Sequence, residues 1–131
     1  MTMNERYQME GLLSAINGAG SILLFPHISP DGDTIGSTLA LKMLLTRLKK
    51  HVNVVLADTP PENLSFLPDI YCVRHFSEAK DAITITDDTL AIAVDAGGDE
   101  RLGQALAYLQ SMPKTAQIDH HPTNPGFAQL N

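Results

Sequence analysis

Short apolar runs alternate with helical segments along the chain, and this alternation restricts its fold more than any other feature. The predicted strands are 21–25, 52–56, 90–94 and 115–118, with a further strand at 71–76 near a sheet edge. The predicted helices are 5–18, 34–50 and 100–111, whereas 77–88 has no clear pattern. Strands alternating with helices are typical of βαβ units. We therefore predict an α/β domain with a mostly parallel sheet flanked by helices.

Apolar residues at helical spacing predict which face of each helix packs on the sheet. The expected stripe of the first helix is Met9, Leu12, Leu13 and Ile16. The apolar positions of the second helix are Ile35, Leu39, Met43, Leu44 and Leu48. Outside these stripes, His51 is expected to cap a helix end and His75 to be structural. Cys72 is expected to be a small buried residue.

The composition fits one soluble globular domain of 131 residues, with 44% hydrophobic and 18% charged residues. No apolar run reaches the roughly 20 residues that a membrane span needs. The N-terminus lacks the apolar core of a signal peptide, and the single cysteine cannot form an internal disulfide, so a cytoplasmic location is expected. The net charge of -6 argues against a protein that coats nucleic acid by charge alone.

Three of the predicted strands run directly into clusters of polar residues that commonly bind metals. The strand SILLF leads to His27, Asp31 and Asp33, LAIAV leads to Asp95, and TAQI leads to Asp119, His120 and His121. Ligands of open α/β sheets bind at the carboxyl ends of the parallel strands. We therefore expect the three clusters to converge at one edge of the sheet and to form a metal site there.

Carboxylate and imidazole groups suit manganese, iron, cobalt or zinc, and the clusters contain no thiolate that would favour softer metals. Asp31 and Asp33 can face different ions, with Asp95 bridging the two. Two ions roughly 3.5–4 Å apart can activate a water and stabilise the leaving oxygen of a phosphate. The carboxylates would repel one another without metal, which also favours cation binding.

Each cluster also has a simpler interpretation when taken alone. The sequence Pro-Asp-Gly-Asp is often only a turn, Asp95 can be a helix N-cap, and His120 and His121 can be surface residues. Their coincidence at three strand ends is what favours a site. Gly36 and Ser37 are expected to open the helix after Asp33, where small residues let a phosphate approach.

Three segments resemble the motifs of the DHH phosphoesterases. They are His27–Ser37 (HISPDGDTIGS), Val94–Gly103 (VDAGGDERLG) and Asp119–Asn124 (DHHPTN). Their order and spacing fit that family over nearly the whole chain. The DHHPTN form is most similar to the branch of bacterial nano-RNases, 3′-phosphoadenosine-5′-phosphate phosphatases and cyclic-dinucleotide phosphodiesterases. RecJ exonucleases and family II pyrophosphatases are more distant relatives.

The resemblance implies a role for each matching residue. His27, Asp31 and Asp95 would hold one manganese ion, and Asp33, Asp95 and His120 would hold a second. His121 would contact the substrate phosphate, and Asp119 would support the histidines from behind. Ser37, Arg101 and Asn124 are the further expected substrate-binding or supporting residues.

The resemblance also implies an activity and a larger protein. The expected reaction is hydrolysis of short oligonucleotides or small nucleotide phosphates through an activated water and two divalent ions, with manganese as the expected metal. Residues 1–131 are expected to be the N-terminal portion of a DHH domain. A further metal-ligating aspartate and a DHHA1 domain are expected only in the full-length protein. A homodimer is likewise expected only for the full-length protein. Gly98 stands where relatives often carry an acidic residue, so the second loop is expected to be altered.

Two other functions stay open at this point. Asp31-Gly-Asp33-Thr34 resembles the nucleophile loop of haloacid-dehalogenase-type phosphatases, although there the first aspartate directly follows the strand. Such an enzyme would form a covalent aspartyl-phosphate, whereas metal-activated water forms none. The other alternative is a non-catalytic fragment that binds nucleotides.

Overall fold

A computed structural model describes residues 1–131 and places five parallel strands in one sheet, in the order β3-β2-β1-β4-β5. The strands are β1 Ser21–Pro26, β2 His51–Leu56, β3 Val73–His75, β4 Thr89–Val94 and β5 Lys114–Ile118. The predicted strands are confirmed to within about two residues at each end, and β3 lies at a sheet edge as expected. The predicted α/β class with a parallel sheet is therefore confirmed.

Four α-helices cover the two faces of the sheet. They are α1 Met3–Gly18, α2 Gly32–Arg47, α3 Phe76–Ala82 and α4 Leu106–Gln110, and short 3-10 turns lie at Glu62–Leu64, Ile70–Cys72 and Asp99–Ala105. No helix has the length and apolar character that crossing a membrane requires.

Alternating side chains of the strands form a separate apolar core on each face. On β1, Ile22 and Leu24 pack with Ile16 of α1 and Leu45 of α2. Leu23 and Phe25 point the other way, into the cluster that contains Ala79 of α3 and Tyr108 and Leu109 of α4. Every residue of β4 is buried, as expected for a central strand covered on both faces. The strand that carries Asp95 is thus held rigidly by the core.

The helices differ from their predicted faces. Met9 is 49% and Leu13 is 52% exposed, so the predicted stripe of α1 is wrong for these two residues, and Ile16 is its buried residue. On α2, Met43, Leu44 and Leu48 are also exposed, whereas Ile35, Leu39 and Leu45 are buried. Both helices carry apolar residues on more than one face, so spacing alone could not identify the side that meets the sheet.

Other predictions needed correction at helix ends and in the segment 100–111. His51 begins β2 instead of capping a helix, because α2 ends at Arg47 and its cap is Leu48. Gly103 has φ 54° and ψ -132°, which breaks the predicted helix into a 3-10 turn and the short α4.

The predicted surroundings of two further residues are correct only for His75. Cys72 is half-buried, not fully buried. His75 is structural as predicted, since its ring accepts a hydrogen bond from the Ser77 amide at the start of α3.

Candidate metal centre

The three loops that carry the predicted site residues leave the sheet at the same level. Pro26 at the end of β1 pairs with Val94 of β4, and Val94 pairs with Ile118 of β5. The structure therefore brings the three polar clusters together at the carboxyl edge. They surround an open pocket with no hydrophobic lining residue, formed by His27, Asp31, Asp33, Asp95, Gly97, Glu100, Arg101, His120, His121 and Thr123.

His27 follows β1 and its side chain is only 6% exposed. Its Nδ1 lies at the carbonyl oxygen of Ile28, so a proton on Nδ1 is donated to that oxygen and Nε2 keeps a free lone pair. Nε2 is 3.9 Å from Asp31 Oδ1 and 3.8 Å from Asp95 Oδ2. The second nitrogen of this buried ring thus faces two carboxylates, which is the orientation that a metal-binding imidazole needs.

Asp31 is the N-cap of α2, because its Oδ1 accepts a hydrogen bond from the Thr34 amide at 2.9 Å. This hydrogen bond holds the pKa of the Asp31 carboxyl below its usual range, and the neighbouring His27 lowers the pKa further. The Pro-Asp-Gly-Asp segment can therefore be a turn and still provide Asp31 as a metal ligand. Capping fixes the carboxylate at the start of the helix while its charge faces His27.

Asp95 lies at the centre of the site and is buried, with its side chain 8% exposed. Its backbone has φ 57°, an uncommon left-handed conformation for a residue other than glycine. The Thr34 hydroxyl donates a 2.6 Å hydrogen bond to Asp95 Oδ2. Asp95 is not a helix N-cap, since the following 3-10 turn begins only at Asp99. Its strained backbone instead turns the carboxylate into the pocket.

A second group of side chains faces the other oxygen of Asp95. His120 Nε2 is 3.0 Å from Asp95 Oδ1 and 3.4 Å from Asp33 Oδ2. Both His120 and Asp33 are largely exposed, at 71% and 57% of the side chain. His27 and Asp95 are buried, whereas Asp31, at 65% of its side chain, is as open to solvent as Asp33, so each side of Asp95 has one exposed carboxylate.

His121 and Asp119 form a tight pair beside these groups. His121 Nδ1 is 2.6 Å from Asp119 Oδ1, and this hydrogen bond raises the pKa of the His121 ring, with smaller contributions from the charges of Asp119, Asp95 and Asp33. Burial would raise the pKa of Asp119, but hydrogen bonds from Asn124 and His121 outweigh it and hold that pKa below the usual value. The pair therefore consists of a charged carboxylate and a ring that retains its proton more readily than usual.

Asn124 connects the third loop to the second. Its Nδ2 donates to Asp119 Oδ2 at 2.7 Å and to the Ala96 carbonyl oxygen at 3.1 Å. Gln117, buried on β5, donates in turn to Asn124 Oδ1 at 3.2 Å. Asn124 thus supports Asp119 from behind instead of lining the open pocket.

Arg101 and Ser37 contact residues of the first loop. The Arg101 guanidinium lies 3.3 Å from His27 Nδ1. The backbone carbonyl oxygen of Arg101 accepts a 2.7 Å hydrogen bond from the Ile28 amide. Because His27 Nδ1 donates its proton to the Ile28 carbonyl, it cannot also accept a hydrogen bond from Arg101. The guanidinium therefore affects His27 only as a nearby positive charge. The Ser37 hydroxyl donates to Asp33 Oδ1 at 3.2 Å. Gly36 and Ser37 do not open the helix as predicted, since α2 already begins at Gly32.

Sequence reasoning missed three residues of this region: Thr34, Gln117 and Glu100. The Thr34 hydroxyl contacts Asp95, 61 residues away, and the Gln117 amide contacts Asn124 in the loop that follows its strand. Neither contact has a helical or strand spacing that the sequence would display. The Glu100 carboxylate folds back over Gly98, where a Cβ on residue 98 would collide with it. The absence of a side chain at Gly98 is the one signal that could have indicated this arrangement.

The donor groups fit a divalent metal. Two clusters place their nitrogen and oxygen atoms within 4.8 Å of one another: His27, Asp31 and Asp95, and Asp95, Asp119, His120 and His121. Metal bonds from these atom types are about 2.0–2.2 Å long, so ligands of one ion lie roughly 3–3.5 Å apart. The observed separations of 3.0 to 3.9 Å need only small adjustments to reach this range. In the second cluster, Asp119 is already engaged by Asn124 and His121. Asp33 lies outside both clusters, but its Oδ2 is 3.4 Å from His120 Nε2 and accepts no hydrogen bond from the protein.

The fold and the site together define a parallel α/β domain with a candidate metal centre at the carboxyl ends of its strands. Comparison with known families gives a closer assignment. Residues 21–131 match the family described as "DHH family, N-terminal domain", and the chain belongs to this family.

Curated relatives carry the same name in different bacteria, bifunctional oligoribonuclease and PAP phosphatase NrnA. The Mycoplasma pneumoniae protein is 30% identical over 127 residues, which cover 92% of this chain and 37% of the relative. The Thermus thermophilus protein is 33% identical over 112 residues, covering 86% of this chain and 31% of the relative. The chain thus spans about a third of the length of these relatives.

A solved structure supports the fold. An exopolyphosphatase-related protein from Bacteroides fragilis superposes with a TM-score of 0.85, at 24% identity, over 95% of this chain and 38% of that chain. The similarity confirms the parallel α/β architecture.

Proposed function

We propose that the intact protein is a manganese-dependent phosphoesterase that hydrolyses short oligonucleotides or small nucleotide phosphates. One observation carries the proposal: the two oxygens of Asp95 face different groups of ligands. Oδ2 faces His27, and Oδ1 faces His120. A carboxylate placed in this way is suited to bridge two ions.

The proposed ligands follow from these contacts. His27 and Asp31 hold the first ion together with Asp95, and Asp33 and His120 hold the second. When bound, the two ions supply an activated water and neutralise charge on the leaving oxygen. Thr34 fixes the rotation of the Asp95 carboxylate through its hydroxyl, and the Ile28 carbonyl fixes the tautomer of His27.

His121 is proposed to bind the substrate phosphate. Asp119 holds its Nδ1, which leaves Nε2 to donate a hydrogen bond toward the pocket. The raised pKa of the ring keeps this donor protonated more readily, and a protonated imidazole binds phosphate more strongly than a neutral one. Arg101 lines the same pocket and adds a further positive charge.

The proposed substrates are small because the chain offers few cations. Its net charge of -6 provides no long basic track for a nucleic-acid strand. Two ions at one sheet edge need only the scissile phosphate and one neighbour. The oligoribonuclease and phosphatase names of the relatives agree with this substrate class.

Competition between a ribodinucleotide and a long single strand, with manganese, tests the substrate class in the intact protein. We expect mononucleotides to be released from the dinucleotide at the higher kcat/KM. Faster, processive degradation of the long strand would replace this proposal with a RecJ-like function. A complete lack of manganese-dependent turnover would favour a nucleotide-binding module instead.

These proposals concern the intact protein, since the chain spans only about a third of its relatives' length. Within it, we propose that residues 1–131 form the N-terminal portion of the DHH domain. A homodimer and a cytoplasmic location stay predictions from the sequence.

A further inference from the structure

The loop between β1 and α2 carries His27 and Asp31 and is held by contacts from two other segments. The Ile28 amide donates to the Arg101 carbonyl oxygen at 2.7 Å, and the Ser29 amide donates to Asp58 Oδ2 at 2.7 Å. Asp58 lies just after β2, outside the three motifs, and β2 is the parallel neighbour of β1. The loops after both strands therefore emerge at the same edge of the sheet, which is how Asp58 reaches Ser29.

Ser29 has a backbone conformation that its neighbours must maintain. Its φ is 48°, in the left-handed region that residues other than glycine rarely occupy. It also precedes Pro30, and a residue before proline normally has a negative φ and an extended conformation. A carboxylate acceptor forms a stronger hydrogen bond with a backbone amide than a neutral acceptor does. The contact from Asp58 is thus placed to stabilise an otherwise unfavourable conformation.

The conformation of Ser29 sets the relative position of two proposed ligands. Only residues 28–30 separate His27 from Asp31, and His27 Nε2 lies 3.9 Å from Asp31 Oδ1. The Ile28 amide is held by Arg101 and the φ of Pro30 by its ring, so the backbone conformation of Ser29 contributes directly to the separation of the two ligands.

We propose that Asp58 is a positioning residue, whose hydrogen bond to the Ser29 amide holds the 27–31 loop with His27 and Asp31 at metal-binding separation. The inference rests on the proposed function, because it takes these two residues as ligands of one ion. Asp58 belongs to neither cluster of potential metal ligands, so it acts through the loop and not on the ion.

Manganese titration of the metal-free intact protein by calorimetry tests this role without measuring turnover. We expect Asp58→Ala to weaken the tighter manganese site about tenfold. Asp58→Asn keeps an oxygen that can accept from Ser29 but removes the charge, and it should stay within about threefold of the wild type. The matched control is Asp81→Ala, which removes an exposed carboxylate of α3 that forms no ion pair and should leave the affinity unchanged.

A second substitution separates loop geometry from general stability. Glycine adopts positive φ without strain, so Ser29→Gly in the Asp58→Ala background should restore most of the lost affinity. Ser29→Gly alone should change the affinity little. Circular dichroism on each variant checks that the metal-free protein is folded.

The possible outcomes are distinct. If the wild type binds manganese and Asp58→Ala binds it equally well, the inference is wrong while the proposed function stands. An Asn variant as weak as the Ala variant would show that Asp58 acts through long-range charge and not by accepting the Ser29 hydrogen bond, and would overturn the inference. A failed rescue by glycine would show that Asp58 acts by general stability and would also overturn it. If the wild type binds no manganese, the proposed function itself fails.

Discussion

The hydroxyl of Thr34 donates a 2.6 Å hydrogen bond to the carboxylate of Asp95, across 61 residues of sequence. Thr34 is fully buried in the first turn of α2, and Asp95 is buried at the end of β4. The contact therefore links the first and second loops of the site below the open pocket. A buried carboxylate oxygen that lost this donor would be poorly compensated without a metal.

Thr34→Val preserves the shape of the side chain but removes the donor, so we expect it to destabilise the metal-free protein by about 1–3 kcal/mol. Thr34→Ser keeps the hydroxyl and should retain the orientation of Asp95 at a smaller cost in stability. Urea unfolding of the two variants at equal ionic strength measures the difference. Equal stabilities for the valine variant and the wild type would show that the hydrogen bond contributes nothing.

Manganese should raise the melting temperature of the wild-type protein, because it binds the folded state preferentially and relieves repulsion among the carboxylates. Asp95→Ala should abolish most of this increase, since the residue faces both groups of proposed ligands. Differential scanning fluorimetry with and without manganese makes the comparison, with Asp81→Ala as the control for a lost charge. An unchanged response in Asp95→Ala would rule out its bridging role.

Gly103 should be intolerant of a side chain. Its φ is 54°, and an added Cβ would lie 2.7 Å from Ile28 Cγ2, in the loop that carries His27. We expect Gly103→Ala to lower the free energy of unfolding by roughly 1–3 kcal/mol. Gly36→Ala is the matched control, because position 36 lies inside α2 with nothing within 4 Å of an added Cβ. That control should stabilise the protein by up to about 1 kcal/mol. A thermal melt of both variants shows whether each substitution lowers or raises the stability.

The pair of His121 and Asp119 should make stability depend on pH in the metal-free protein. The raised pKa of His121 gives a contribution that is complete below its unfolded value of 6.5 and is lost as the pH rises through the folded value. The lowered pKa of Asp119 gives a contribution that is present above its unfolded value of 3.8 and is lost as the pH falls through the folded value.

Asp119→Asn should therefore destabilise the protein most between about pH 4 and pH 6.5, and less near pH 9. Chemical denaturation at several pH values measures this difference. An NMR titration should also show a lower pKa for His121 in the variant than in the wild type. The pairing would be contradicted by a His121 pKa that the substitution leaves unchanged.

The strands were predictable because their signal is local. Thr89–Val94 is buried throughout, and a short apolar run bounded by polar residues is what such a strand requires. The convergence of Asp31, Asp95 and His120 followed from the same source, since parallel strands end at a common edge. Both predictions rest on the spacing of apolar residues and on the parallel direction of the strands, and these can be inferred from short segments of the sequence.

The rest depends on contacts between distant residues. Met9 and Leu13 are apolar and correctly spaced, yet they are exposed because α1 meets the sheet through a neighbouring stripe. The break at Gly103 reflects the close approach of Ile28, and the roles of Thr34 and Asp58 depend on how hydroxyl and carboxylate groups are oriented after folding. No local pattern encodes such relationships.

The common level of the strand ends decides where the chain can change in length. Pro26, Val94 and Ile118 are paired side by side, so one residue inserted within β4 would turn its side chains over and displace Asp95 from the other loops. The opposite edge carries the connections 19–20, 48–50, 83–88 and 111–113, which lead from α-helices into strands, and the end of the 57–72 connection, which enters β3. Insertions and deletions among related proteins should therefore accumulate at that amino edge, where they alter the outline of the domain without altering its chemistry.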